Sequence, residues 1–493
     1  MINNKGNTHQ ALWVGLSSFS SFALSILSAA ILSRYFDKEE YGTYKQILYV
    51  YNTLLIIFTA GLPRVFAYFL PRVSIEEGKD VVWKISKMLF LFGVIFSAAL
   101  FFGSNSIAKV LNNPELALGL KYFSPIPMLL LPTLGIEGIF SSYKKTFYIA
   151  IYNTFSRLLM LIFIVLPVII FKGSYLYAIY GWIVVSLITF VIAYFFKSIP
   201  FRGVNKKVST LKMKEVFSYS LPLVGASIAG LAIRSADQFY ISRYYGTEIF
   251  AEYSNGFMQI PFVAMITKAT STVLMPQFSK MVHEKVDVQN FIKLWERTLY
   301  KSAIIIYPIV VFLLFHAKTI IVLLYSETYI KSANYFQIAM VVNFFNIIVF
   351  APLLFSLGET KFYSRIHVFG ALLIWVGGYI FVNLSLGPIA FAVLSVSITV
   401  LLIILNMWKV SKVFNINVLN LVPLKSFFMI ILHSILISIL LYFLKNYLWG
   451  TINSLMGLIL ETILFVAFLI LTSKIFRIDY LVVIKPILLK LNK

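Results

Sequence analysis

The sequence contains no cysteine and little charge. Because its 493 residues include no cysteine, disulfides, thiol catalysis and cysteine-ligated metals are excluded. Only 12% of the residues are charged, whereas 60% are hydrophobic and 17% are aromatic. A soluble domain with this composition would expose large apolar patches. The composition therefore predicts an all-α polytopic membrane protein.

Acidic residues are scarce as well. The chain has 19 Asp and Glu against 42 Lys and Arg, a net charge of +23. In a soluble protein this balance would suggest a nucleic-acid partner. Here most of the cations fall in short loops between apolar runs, where Lys and Arg set the orientation of a membrane protein. We therefore expect no nucleic-acid partner.

Signatures of enzymes and metal sites are also missing. His316, His367 and His433 have no carboxylate or second histidine at metal-ligand spacing. The chain lacks the GxxxxGK[ST] pattern of ATP hydrolysis. It also lacks the sizeable extramembrane loop or paired carboxylates that a membrane glycosyltransferase or polymerase would normally need. We predict that the protein is not an enzyme and has no catalytic residues, metal site or cofactor.

Apolar runs long enough to cross a bilayer, about 20 residues each, predict fourteen transmembrane helices. They lie near residues 11–33, 46–69, 86–108, 119–142, 147–171, 175–196, 217–240, 250–275, 299–317, 332–357, 362–384, 387–408, 426–444 and 452–473. With a cytoplasmic N-terminus, the inside segments hold 28 Lys and Arg and the outside loops hold 10. The positive-inside rule therefore predicts that both termini are cytoplasmic.

Two pairs of segments resemble each other at similar offsets. SRYFDKEEYGTYKQ (33–46) aligns with SRYYGTEIFAEYSN (242–255), and FSSYKKTFY (140–148) aligns with FSLGETKFY (355–363). The two pairs of matching segments occur in the same order along the chain. They predict that helices 1–6 and 7–12 are two copies of one unit, with helices 13 and 14 appended.

The repeat predicts how the chain is organised. We expect an N-terminal six-helix lobe (1–196), a cytoplasmic linker (197–216), a C-terminal six-helix lobe (217–409) and two additional helices with a basic tail (410–493). Because six crossings return the chain to its starting side, the two copies have the same orientation. A pseudo-twofold axis along the membrane normal then places the natural binding site in the cleft between them.

Four cations fall inside the predicted helices instead of in loops: Arg64, Arg157, Arg234 and Lys268. Each costs roughly 2.5 to 3.5 kcal/mol at the centre of a bilayer unless it faces water or a counter-ion. Arg64 and Lys268 precede the prolines that end helices 2 and 8 by similar distances, so we expect them at equivalent positions of the two copies. We interpret the four as candidate substrate-binding residues for an anion.

Three acids accompany these cations, and each has a plain structural interpretation. Asp237 can pair with Arg234 at i,i+3 on one helix face, or it can bind a proton or a sodium ion. Glu137 can pair with Arg157 or serve as a second ion-coupling residue. Glu461 lies outside the repeats, where we expect a local structural role. For the cations, the structural alternatives are internal ion pairs and snorkelling, the latter above all for Arg64.

The segments SRYFDKEEYGTY (33–44), the proline-ended helix 2 and PLVGASIAGLAIRSADQFYISRYYG (222–246) carry a family resemblance. Together with the fourteen-helix layout, they resemble the Wzx-type flippases of O-antigen and capsule repeat units. These flippases belong to the multidrug/oligosaccharidyl-lipid/polysaccharide (MOP) exporter superfamily, and the resemblance extends over nearly the whole chain.

The resemblance implies a function. Such flippases move undecaprenyl-pyrophosphate-linked oligosaccharides across the bacterial inner membrane by alternating access, with a cationic cavity for the pyrophosphate and sugar. The implied partners are this lipid-linked substrate, membrane lipids, and a polysaccharide polymerase with its chain-length proteins. The resemblance leaves the coupling ion open, as proton or sodium. It also leaves open the sugar composition, the oligomeric state and the glycan pathway.

Two rival functions stay open at this point. A cation-coupled drug or metabolite antiporter would share the fold, although export of organic cations favours buried acids over a surplus of cations. A membrane-embedded polysaccharide polymerase or glycosyltransferase is the enzymatic alternative.

Overall fold

The computed structural model describes residues 7–448 and 454–482. This part of the chain consists of α-helices and short 3-10 turns, without a strand. The predicted all-α fold is confirmed. The predicted cytoplasmic N-terminus (residues 1–6) and the basic tail (residues 483–493) lie outside the described residues.

The chain divides into two compact units, residues 1–254 and 255–493. In the first unit, the α-helices are α1 (Asn7–Tyr35), α2 (Lys38–Phe58), α3 (Leu62–Phe69), α4 (Ile75–Val110), α5 (Glu115–Phe123), α6 (Ile126–Leu130), α7 (Ile136–Ser142), α8 (Phe147–Phe171), α9 (Tyr175–Ser198) and α10 (Met213–Gly256). Helix α10 ends two residues beyond the unit boundary. The first helix of the predicted second lobe is thus grouped with the six spans that precede it, and the predicted division into lobes stays a prediction.

The described residues of the second unit form ten further α-helices. They are α11 (Pro261–His283), α12 (Val288–Phe315), α13 (Ala317–Tyr325), α14 (Ser332–Val341), α15 (Asn343–Asn346), α16 (Ala351–Ser356), α17 (Thr360–Asn383), α18 (Pro388–Phe414), α19 (Leu424–Leu448) and α20 (Ser454–Thr472). Short 3-10 turns lie at Leu70–Arg72, Leu131–Thr133, Ile199–Phe201, Glu327–Tyr329, Val418–Leu421 and Tyr480–Val482. Helices α19 and α20 pack on each other, and α19 also packs along α12.

The number of membrane spans agrees with the sequence in all but one place. Within the described residues, eleven helical stretches are long and apolar enough to cross a membrane, and two bent helix pairs raise the number to thirteen. The eighth predicted span, 250–275, is divided in the structure. Its first residues, up to Gly256, belong to the part of α10 that follows the non-helical Gly246, and α11 begins only at Pro261. Helix α11 carries Lys268 among several Thr and Ser residues and is less apolar, so the count of fourteen is not confirmed.

The second span is broken between α2 and α3. Helices α2 and α3 meet at an angle of 46°. The backbone between them turns through Ala60 and Gly61, whose φ values are 47° and 69°. Pro63 then stands in the first turn of α3, where its missing N–H costs no helical hydrogen bond. The break directs a new helix N-terminus, followed by Arg64, into the interior of the first unit.

Packing holds the short helix α3 in place. Leu62, Val65 and Phe66 are fully buried, and they belong to one apolar cluster with Ile85 and Leu89 of α4. Between membrane helices such side chains stabilise by close van der Waals packing, because lipid is as apolar as the cluster itself. Because this cluster fixes the inner face of α3, the opposite face, which carries Arg64, remains open.

The two repeated segments, 33–46 and 242–255, lie directly against each other up to the unit boundary at residue 254. Lys38 at the start of α2 forms an ion pair of 2.7 Å with Glu252. Further along, the side-chain amide of Gln46 donates a hydrogen bond of 2.8 Å to Ser242. Between these contacts the backbones touch at Gly42, where an added Cβ would overlap the carbonyl oxygen of Thr247.

This close approach predicts that Gly42→Ala destabilises the protein. The alanine Cβ would meet backbone atoms that cannot rotate away, which we expect to cost about 1 to 3 kcal/mol. Thermal unfolding of the purified protein in detergent measures the effect. Gly103→Ala on α4 is the matched control, because its Cβ would meet its nearest neighbour at an ordinary 3.7 Å. Equal unfolding temperatures for Gly42→Ala and Gly103→Ala would contradict the observed approach.

Candidate functional site

Arg64 and Arg234 line one cavity of the first unit. The cavity has a volume of about 170 Å³, and its other lining residues are Ile56, Thr59, Gly61, Pro63, Val224 and Ser227. Arg64 comes from α3 and Arg234 from α10, and both side chains are exposed. Two like charges on one cavity raise each other's energy unless an anion lies between them. The structure thus brings together two of the four predicted cations, 170 positions apart in the sequence.

The broken span adds to the positive character of this cavity. Gly61 is the N-cap of α3 and offers no side-chain oxygen to the first N–H groups of that helix. The N-terminus of a helix carries a partial positive charge, and it faces the same cavity through Gly61, Pro63 and Arg64. A phosphate group fits such a place better than a neutral or cationic ligand does.

None of the four predicted cations is neutralised by a carboxylate within residues 7–448 and 454–482. The ion pairs observed in this part of the chain involve other Lys, His and acidic residues. Arg64, Arg157, Arg234 and Lys268 all have exposed side chains. The described residues therefore do not show the structural alternative, in which acidic side chains of the protein neutralise these four cations.

Asp237 is buried and is held by groups other than Arg234. Its side chain is 3% exposed. One carboxylate oxygen accepts a hydrogen bond of 2.6 Å from the hydroxyl of Tyr253, and the other accepts one of 2.7 Å from the N–H of Gln238. Tyr253 belongs to the second repeated segment. Asp237 thus holds the part of α10 that follows the non-helical Gly246 against the part that precedes it, while Arg234, one turn earlier, lines the cavity.

Glu137 and Arg157 also do not pair with each other. Glu137 accepts a hydrogen bond of 3.0 Å from the side-chain amide of Asn153 on α8. The guanidinium of Arg157, one turn further along α8, approaches the sulfur of Met160 at 3.6 Å. Arg157 does not line the cavity of Arg64 and Arg234. Lys268 lies on α11 in the second unit, and the predicted equivalence of Lys268 and Arg64 in the two copies stays a prediction.

Lys197 is a buried cation that sequence reasoning missed. The sequence count placed it in the predicted linker, but the structure places it in the last turn of α9. Its side chain donates hydrogen bonds to the carbonyls of Pro132 (2.6 Å) and Leu134 (2.8 Å) and to the hydroxyl of Ser86 (3.1 Å). Those carbonyls lie where the fourth span breaks between α6 and α7. The proline in that span was the available signal, because a break frees carbonyls that need a donor.

Glu461 occupies a site of its own in the second unit. Its carboxylate on α20 contacts His316, at the end of α12, and forms an ion pair of 3.0 Å with Lys445 on α19. These contacts tie the two appended helices to α12. They agree with the local structural role that the sequence suggested for Glu461.

Comparison with protein families supports a role in polysaccharide biosynthesis. A family model described as polysaccharide biosynthesis protein matches residues 31–334, which is more than half of the chain. The succinoglycan biosynthesis transport protein ExoT of Rhizobium meliloti (strain 1021) is 25% identical over 294 residues. This alignment covers 58% of the present chain and 56% of ExoT, so the chain matches little more than half the length of that relative.

Comparison with solved structures shows the fold. The lipid II flippase MurJ in its inward closed conformation aligns with a TM-score of 0.69 at 15% identity, covering 94% of this chain and 99% of MurJ. A variant of the Vibrio cholerae MATE transporter VcmN aligns with a TM-score of 0.58 at 11% identity, covering 83% and 96%. A multidrug resistance MATE transporter of the MOP superfamily aligns with a TM-score of 0.56 at 13% identity, covering 84% and 97%.

These findings confirm the resemblance on which the sequence analysis relied, and they agree with the many apolar helices of a multi-pass membrane protein. The chain belongs to the polysaccharide biosynthesis protein family and has the fold of the MOP exporter superfamily.

Proposed function

We propose that this protein is a flippase for undecaprenyl-pyrophosphate-linked oligosaccharides in the bacterial inner membrane, serving the synthesis of a surface polysaccharide such as O-antigen or capsule. The observation that carries the proposal is the cavity shared by Arg64 and Arg234, two cations without a carboxylate partner in the described part of the chain. Membership of a polysaccharide biosynthesis family supports a glycan as the cargo. The fold shared with a lipid II flippase supports a lipid carrier.

The charge of the cavity distinguishes this function from its nearest rival. A pyrophosphate neutralises the positive charge of Arg64, Arg234 and the N-terminus of α3. Its oxygens also make the bidentate contacts that suit a guanidinium. An exported organic cation would be repelled by the same groups. The polyprenyl tail stays in the lipid, and the sugars follow the pyrophosphate through the protein. Arg157 and Lys268 are proposed as further cations along the path.

Transport by alternating access needs contacts that open and close. The ion pair between Lys38 and Glu252, with the Gln46–Ser242 hydrogen bond beside it, joins the two repeated segments within the first unit. In the proposed topology, with both termini cytoplasmic, these segments lie at the outer side of the membrane. We propose that this contact separates when the substrate is released outward.

Removing the cavity arginines tests the cargo. We expect Arg64→Ala and Arg234→Ala each to lower transfer of the lipid-linked glycan about tenfold or more, since a hydrogen bond to a charged group contributes roughly 1.5 to 3 kcal/mol. Arg→Lys should retain more transfer than Arg→Ala. Transfer is measured as outer-leaflet glycan in a flippase-deficient strain complemented with each variant, with protein abundance checked.

Arg72→Ala is the matched control, because Arg72 lies over the ring of Tyr68 at 3.5 Å and does not line the cavity. Arg157→Ala and Lys268→Ala, alone and together, test the wider path in the same assay. Normal transfer in Arg64→Ala, Arg234→Ala and their double variant would exclude the cavity as the pyrophosphate site.

Cross-linking tests the alternating mechanism. Because the chain has no cysteine, Lys38→Cys with Glu252→Cys gives a single reactive pair. We expect a short bifunctional thiol reagent with a cleavable disulfide to stop transfer in the double variant, and reduction to restore it. Each single-cysteine variant treated alike is the control. Full transfer by the cross-linked protein would mean that this contact does not have to open.

A substitution of Asp237 tests whether transport is coupled to an ion. We expect Asp237→Asn to change the dependence of transfer on pH or on sodium, because the neutral amide keeps the shape of the side chain but cannot carry the charge. Tyr253→Phe removes the hydroxyl that Asp237 accepts from and keeps the carboxylate, so it separates packing from charge. The same pH and sodium profiles for wild type and Asp237→Asn would leave Asp237 with a structural role.

A further inference from the structure

A strip of polar side chains runs between α1 and α8 at membrane depth. Asn153 donates hydrogen bonds of 2.9 Å to Ser17 and of 3.0 Å to Glu137, and Ser20 lies 2.8 Å from the hydroxyl of Thr154. Arg157 continues the strip one turn beyond Asn153. We call these six residues the α1–α8 polar strip. It is not part of the cavity lined by Arg64 and Arg234.

Polar contacts between membrane helices are common, and small hydroxyls on α1 and α8 alone would be explained by helix packing. Glu137 and Arg157 are not explained in this way. Both side chains are exposed, they carry opposite charges on consecutive helices, and they make no ion pair with each other. A packing motif would bring such charges together to neutralise them.

The position of the strip along the helices excludes lipid as its neighbour. Arg157 lies ten residues into α8, a helix of 25 residues, and Asn153 lies six residues in. At a rise of about 1.5 Å per residue, both are well inside the apolar region. A lone charge there costs several kcal/mol against lipid, so charged side chains in membrane helices face water-filled space or a polar ligand.

We propose that the α1–α8 polar strip is a binding subsite for the sugar hydroxyls of the transported glycan, separate from the pyrophosphate site at Arg64 and Arg234. This inference rests on the proposed function and adds to it the part of the substrate that the cavity does not bind.

The chemistry of the strip fits a sugar. A glycan presents hydroxyls that donate and accept in alternation. The carboxylate of Glu137 only accepts and the guanidinium of Arg157 only donates, while Asn153, Ser20 and Thr154 do both. One oxygen of Glu137 accepts from Asn153, which orients the carboxylate and leaves its second oxygen for a ligand. Hydroxyls placed between Glu137 and Arg157 would satisfy both charges without an ion pair.

The test compares two probes that differ only in the sugar. Binding of undecaprenyl pyrophosphate, and of undecaprenyl pyrophosphate carrying a neutral N-acetylhexosamine disaccharide, is measured on the full-length protein in lipid nanodiscs. We expect wild type to bind the disaccharide probe more tightly. We expect Asn153→Ala and Glu137→Gln to weaken binding of that probe about tenfold and to leave binding of undecaprenyl pyrophosphate unchanged.

Ser18→Ala is the matched control, since the hydroxyl of Ser18 bonds only the carbonyl of Val14 in its own helix. Glu137→Gln keeps the size of the side chain. It therefore still tests the subsite if Asn153→Ala fails to fold. A purely structural role would lower the unfolding temperature and change the affinity for both probes by the same factor.

The outcomes separate the two proposals. Wild type that binds both probes equally, or variants that keep the wild-type ratio between the probes, would overturn the sugar subsite and leave the pyrophosphate site standing. Wild type that binds neither probe would overturn the proposed function and the subsite with it.

Discussion

Every charge and every free carbonyl at bilayer depth has to find a partner inside the protein or in an aqueous cavity, and the first unit is organised around that constraint. Breaks in the second and fourth spans release backbone groups that an unbroken helix would keep satisfied. At the fourth span, Lys197 supplies the donors that the carbonyls of Pro132 and Leu134 lack. At the second span, the break instead presents Arg64 and a helix N-terminus to a cavity.

The same unit thus contains two kinds of intramembrane cation. Lys197 is buried, with its ammonium fully engaged by neutral acceptors, and it holds a broken helix together. Arg64 and Arg234 are exposed to a shared cavity and have no acidic partner among the described residues. Only the second kind is suited to a ligand that arrives and leaves, because binding does not require an internal contact to be broken first.

Much of the fold could be predicted from the sequence, because long apolar runs and loop cations are local signals. The break at Gly61 and Pro63 has a local signal as well, because glycine tolerates a positive φ and proline disfavours a continuous helix. The eighth span is not confirmed, since α11 is polar enough to escape a hydropathy rule and begins only at Pro261. Lys197 was missed because a lysine at the end of an apolar run is counted as a loop residue. Arg64 and Arg234 line one cavity, and Glu137 accepts a hydrogen bond from Asn153. Both arrangements depend on packing between helices that are distant in the sequence, and a single sequence shows no pattern for such packing.

The contact between the repeated segments has a consequence for the origin of the chain. At an offset of 209 positions, Thr247 is the counterpart of Lys38, and Glu252 is the counterpart of Thr43. Under the predicted repeat, the Gly42–Thr247 and Lys38–Glu252 contacts therefore join equivalent segments around a point near residue 40. A symmetric homodimer of a single six-helix ancestor would make the same self-complementary contact. Fusion of two such genes would let the halves diverge, and in this chain a lysine of one segment meets a glutamate of the other.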